Sequence, residues 1–137
     1  MTKLLLILCA ILGLGVSAMA QSDHDHSRSV DFATLDDGWL ALETVSAEIQ
    51  TAVKNNDTNA LHDLSAKLHS VADGLASHDD EVPQVNQLRF TSSINQLRGL
   101  SDRFHAAHES NDVAAAQRLV PQLNGMVQLL MVSAEQN

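Results

Sequence analysis

LETVSAEIQTAVKNNDTNALHDLSAKL, residues 42–68, and LRGLSDRFHAAHESNDVAAAQRLVPQL, residues 97–123, are weak copies of one another, offset by 55 positions. Leu35, Trp39, Leu42, Ser46, Ile49 and Val53 map onto Phe90, Ile94, Leu97, Ser101, Phe104 and His108. Asn56-Asp57 then maps onto Asn111-Asp112, and Ala60, Leu64, Leu68 and Leu75 onto Ala115, Leu119, Leu123 and Leu130. Each copy is an apolar stripe, an Asn-Asp break and a second apolar stripe. One copy therefore predicts a helical hairpin. Two hairpins stacked face to face predict an all-α fold, an up-down-up-down antiparallel four-helix bundle.

Outward from the repeat, the spacing supports the same reading. Phe32, Leu35, Trp39, Leu42, Val45, Ser46, Ile49 and Val53 recur at three and four residues, the signature of an amphipathic helix. Asn55-Asn56-Asp57 ends that stripe, and Asp57 or Thr58 can cap the helix that follows. Leu61, Leu64, Leu68, Val71 and Leu75 form the cleanest heptad run. Gly74 comes near its end, and Ser77 to Glu81 with Pro83 reads as the link between hairpins. The third stripe runs Phe90, Ile94, Leu97, Ser101, Phe104, His108; the fourth runs Val113, Ala116, Val120, Leu123, Val127, Leu130, Ala134. Pro121 interrupts the fourth, where a missing N–H predicts a kink or break, and Gly125 weakens the next turn.

The first twenty residues read as a secretory signal peptide: Lys3, an apolar run from Leu4 to Val16, and Ala18-Met19-Ala20 as an A-x-A cleavage site. The run falls short of the roughly 20 residues that a membrane span needs. A periplasmic location follows, with no membrane insertion after cleavage. Residues 21–31 (QSDHDHSRSVD) lack apolar periodicity and read as a flexible His/Asp-rich arm, leaving 32–137 for the bundle. Cys9 lies inside the leader, so the mature chain has no thiol for a disulfide, a thiolate zinc site or covalent haem. Loss of the leader removes one basic residue, Lys3, and no acidic one, taking the net charge from −9 to about −10. That acidity argues against nucleic acid and anionic membrane surfaces, and is compatible with cations or basic partners.

All seven histidines fall after the leader. Asp23-His24-Asp25-His26 alternates carboxylate and imidazole, a donor set for a divalent transition metal such as copper; the alternative is a polar linker. His105 and His108 are spaced to share a helix face beside Glu109. They form either a metal-ligand pair or, with His108 at a core position, a bond to the carbonyls that end the first helix. Antiparallel packing gathers His62, His105 and His108 towards the Asn-Asp turns, and His24, His26, His78, Asp79 and Asp80 at the other end. His62 and His69 follow Leu61 and Leu68 by one residue, about 10 Å apart along the helix, and read as solvated surface. His78-Asp79-Asp80-Glu81 reads as a linking loop with acidic residues near a helix N-terminus. Ser46 and Ser101 are the polar exceptions in the stripes, with no base to activate them, and no catalytic motif is present.

The run from Leu42 through Asn56-Asp57-Thr58 to Leu68, and from Ile94 through Asn111-Asp112 to Met131, resembles the soluble periplasmic cytochrome b family of four-helix haem proteins. The resemblance implies the bundle fold and haem ligands at places that carry Leu42 and Met131 here. Leucine cannot ligate iron, so the chain looks like a haem-less relative. The Asp23 to His26 arm with a Trp-containing first helix also resembles small periplasmic proteins that accompany heavy-metal efflux systems, which implies metal handling beside a transporter. The expectation is a non-catalytic, periplasmic metal-binding accessory or buffer for copper, nickel, cobalt or zinc. Its ligands would be Asp23, His24, Asp25, His26, His105 and His108, with Met126 and Met131 as soft donors. Its partners would be the metal ion and an efflux or other envelope protein. The alternatives are a structural or protein-interaction module with incidental histidines, and b-type haem binding.

Overall fold

Both Asn-Asp breaks fold into the same turn, and that turn sets the topology. The computed structural model describes residues 30–134. Asn56 and Asn111 have φ of 55° and 50°, in the left-handed region that asparagine tolerates better than other side chains. The N–H of Asp57 donates to the Ala52 carbonyl at 2.9 Å and that of Asp112 to the Ala107 carbonyl at 2.9 Å. Asn56 and Asn111 donate likewise to Val53 and His108. This is a Schellman closure, in which a left-handed residue turns the chain back on the last carbonyls of the helix. The aspartates then start the next helix: Asp57 Oδ1 accepts from the Ala60 N–H and Asp112 Oδ1 from the Ala115 N–H. Thr58, the other candidate cap, instead donates its hydroxyl proton to Asn111 Oδ1 at 2.6 Å, tying one turn to the other.

Four helices result: α1 (Leu35–Lys54), α2 (Ala60–Ala76), α3 (Gln87–Glu109) and α4 (Val113–Ala134). A short 3-10 turn, Asp79–Glu81, lies between α2 and α3. Helix α1 packs on α2, α2 on α3, α3 on α4 and α4 back on α1, as an antiparallel bundle requires. The stripes face inward: Leu42, Val45, Ile49, Leu68, Leu75, Leu97, Phe104, Leu123 and Leu130 are fully buried. Trp39 meets Phe90 edge to face, with centroids 6.1 Å apart. No helix among the described residues is long and apolar enough to cross a membrane.

One local expectation changes. Helix α4 does not break at Pro121; it runs unbroken through Val113–Ala134 with Pro121 on its exposed side. There the ring meets solvent, and apolar contacts of Leu119 and Leu123 on either side carry the helix across the missing N–H. Gly74 lies near the end of α2, as the sequence indicates. It is buried inside α2, where a side chain would collide with the Val30 carbonyl and the Phe32 ring. It lets the segment leading into α1 lie flat across the bundle end.

Candidate functional site

The turn end carries the densest set of imidazoles among the described residues. His62 projects from the first turn of α2, and His105 and His108 from the last two turns of α3. The His62 centroid is 5.1 Å from that of His105 and 5.1 Å from that of His108, and His105 and His108 are 6.1 Å apart. All three residues are half-buried. The expectation of a solvated His62 is therefore corrected. It sits one residue past Leu61, at the edge of the buried stripe, and α3 packs against that edge.

The surroundings fix how two of these rings are held. His108 Nδ1 lies 2.9 Å from the Thr58 carbonyl oxygen, which can only accept, so Nδ1 carries the proton. In the neutral ring the Nε2 lone pair is then left for another partner. The carbonyl belongs to the turn after α1 rather than to the helix itself. Ser65, 1% exposed, donates its one hydroxyl proton to the His62 carbonyl at 2.8 Å, so it can only accept from His105 Nδ1, 3.5 Å away. His105 Nε2 lies 3.5 Å from Glu109 Oε1. Thr58 and Ser65 thus position the rings. Thr58 reads from sequence only as a cap, and Ser65 carries no signal at all.

The repeat supplies an internal control. Its offset relates His62 to Gln117, His105 to Gln50 and His108 to Val53. These three stand on the seam between α1 and α4, where Gln50 bonds Asn124 at 3.0 Å and Val53 is buried. The same scaffold therefore closes without imidazoles. Helical packing at these positions does not require histidine.

The other histidines are differently placed. His69 is half-buried beside Asp73, at 3.7 Å, and Asp102, at 3.9 Å, while Asp73 is also engaged by Arg98 at 2.7 Å. At the opposite end of the bundle His78 faces acceptors at both ring nitrogens, Glu81 Oε1 at 2.7 Å and the Phe32 carbonyl at 3.1 Å. The Glu81 carboxylate foremost, then the Phe32 carbonyl, holds the His78 pKa above its ordinary value against partial desolvation. Glu81 also accepts from the Leu35 N–H at 3.3 Å, so its carboxylate stands at the N-terminus of α1 and not at that of the helix following the loop.

Asp23, His24, Asp25 and His26 lie outside the described residues, as do the leader and most of the arm. Met126 and Met131 are not brought together. Met126 lines a groove with Gly99, Leu100 and Arg103, and Met131 a separate depression beside Trp39. Leu42 is sealed in the core. Ser101 donates to the Ser65 carbonyl at 2.8 Å, whereas the buried Ser46 hydroxyl has no hydrogen-bond partner among the described residues. As placed, no group of three or more His, Cys, Asp or Glu side chains among the described residues could hold a metal ion. No protein-family model, curated protein or solved structure matches the chain.

Proposed function

We propose that this protein is a non-catalytic, exported transition-metal accessory that captures or buffers copper, nickel, cobalt or zinc in the periplasm, beside an efflux or other envelope protein. The observation that carries the reading is the gathering of His62, His105 and His108 at one bundle end, at positions where the repeat-related seam has Gln, Gln and Val. Borderline nitrogen donors suit these ions, and no thiol competes in the chain after Cys9. The acidic surface lowers the cost of bringing a cation near. In this reading His24 and His26, flanked by Asp23 and Asp25, recruit the ion, and the bundle histidines hold it. Haem is not part of the proposal, because the buried Leu42 offers no donor.

Native mass spectrometry of the mature chain, titrated separately with Cu(II), Ni(II), Co(II) and Zn(II), tests the reading. Saturable binding of defined stoichiometry that survives a weak chelator supports it. Graded adducts with every ion reject it.

A second reading has its own observation. The exposed large apolar residues Val30, Leu40, Val85, Leu88, Leu129 and Val132 all belong to the end of the bundle opposite the turns. Such a grouping favours a protein-interaction module. That reading predicts tight association with an envelope protein that is indifferent to metal.

A further inference from the structure

We propose that His62, His105 and His108 are the three protein ligands of a single divalent metal ion, bound between α2 and α3 with one coordination position left open. The inference rests on the metal-binding reading above and assigns that function to a defined ligand set. Three imidazoles on one tetrahedral ion, with metal–nitrogen bonds of about 2.0–2.1 Å, place their centroids roughly 5 Å apart. The separations here are 5.1, 5.1 and 6.1 Å. The backbone thus already delivers the rings to the right neighbourhood.

Orientation is what remains. The rings are mutually inclined by 43° to 49°, and their donor atoms do not yet surround one point. His108 is the anchor: its Nδ1–H bond to the Thr58 carbonyl fixes the tautomer and leaves Nε2 to coordinate. His62 and His105 then turn about their Cβ–Cγ bonds, which are broad, soft torsions rather than sharp rotamer wells. Two of the His105 ring contacts are long, 3.5 Å to Ser65 across the seam and 3.5 Å to Glu109 on its own helix. Glu109, from the same helix, is placed to balance the charge of the ion. Zn(II), Co(II) and Cu(II) fit three nitrogens with an open site, and a ligand sphere without thiolate disfavours Cu(I).

The test uses the full mature chain and Co(II) as an optical probe, with Zn(II) as competitor. Three proteins are compared: wild type, the arm variant His24→Gln/His26→Gln, and the seam variant His62→Gln/His105→Gln/His108→Val. The seam variant adopts the residues that the other seam already uses, and circular dichroism checks its helicity. One Co(II) with tetrahedral ligand-field bands is expected in wild type and in the arm variant. Those bands should be abolished in the seam variant, and the single change His62→Gln should weaken binding at least tenfold. Pulsed EPR of Cu(II)-loaded wild type counts coordinated imidazoles without any variant, and three are expected. An undiminished site in His62→Gln, or one or two imidazoles by EPR, overturns the three-ligand centre. Binding that disappears only in the arm variant overturns it while leaving the metal-binding reading standing. No saturable binding in wild type overturns both.

Discussion

The α2/α3 seam and the α1/α4 seam come from the same repeat and differ in what fills them. One carries His62, His105 and His108; the other carries Gln117, Gln50 and Val53 at the related positions. One has Ser101 bonded across to Ser65; the other has Ser46 buried with no partner among the described residues. One receives the Thr58 carbonyl on an imidazole, while at the other the related side chain is apolar. The repeat evidently specifies backbone and leaves the seams to diverge. Both seams carry bonded polar groups, Gln50 with Asn124 on one and Ser101 with Ser65 on the other, but the three clustered imidazoles stand at the α2/α3 seam, and that side is where chemistry is to be sought.

The most drastic way to break this comparison is to copy one seam onto the other. The variant Gln50→His/Val53→His/Gln117→His should acquire a second Co(II) site, raising the stoichiometry from one to two. The new site should be weaker by up to about a hundredfold wherever its imidazoles lack an orienting bond like that from His108 to the Thr58 carbonyl. A stoichiometry that stays at one would mean that the α2/α3 geometry, and not the residue set, makes the site.

The turns allow a gentler comparison. Asn56→Ala and Asn111→Ala each remove the short polar side chain that makes the left-handed region tolerable, at a cost of about 1 kcal/mol or less. Asn111→Ala should cost about 1 kcal/mol more, since it also strands the Thr58 hydroxyl. Urea unfolding measures both, and equal losses would show that the bond between the turns contributes nothing.

Smaller still is the serine pair. Ser101→Ala should destabilise by about 1 kcal/mol, because the bonded Ser65 carbonyl loses a buried donor. Ser46→Ala should be neutral or stabilising, since it removes an unsatisfied hydroxyl. The opposite order in melting temperature would contradict the assignment of the bonded serine.

The least effect is expected at the far end, where His78 contrasts with the imidazole cluster. Acceptors at both nitrogens favour its protonated form, and its folded pKa lies above the ordinary value of 6.5. Its contribution to stability is therefore complete below about pH 6.5 and is lost as pH rises through the folded value. The difference in urea midpoint between wild type and His78→Gln should shrink on the alkaline side. A difference that grows with pH would reverse the sign.

Periodicity located the stripes, the antiparallel order and the convergence of His62, His105 and His108 on the turn end. It assigned His62 to solvent because helical spacing tells which face of its own helix a residue occupies, not which neighbour presses on the edge of that face. The Asn-Asp pair showed where each hairpin turns, but not that Thr58 would reach across to Asn111 instead of capping α2. Pro121 looked like a breaker because local propensity was considered alone; its solvent-facing position and the packed leucines around it decide otherwise.

Taken alone, the amino-acid order determined four helices, two related turns and an acidic chain rich in histidine, since those depend on local propensity, spacing and charge. Tertiary structure decided which seam gathers the imidazoles, which nitrogen of His108 is bound, and why Gly74 must lack a side chain. These are matters of contact between elements far apart in the chain, and no local pattern encodes the distance between them.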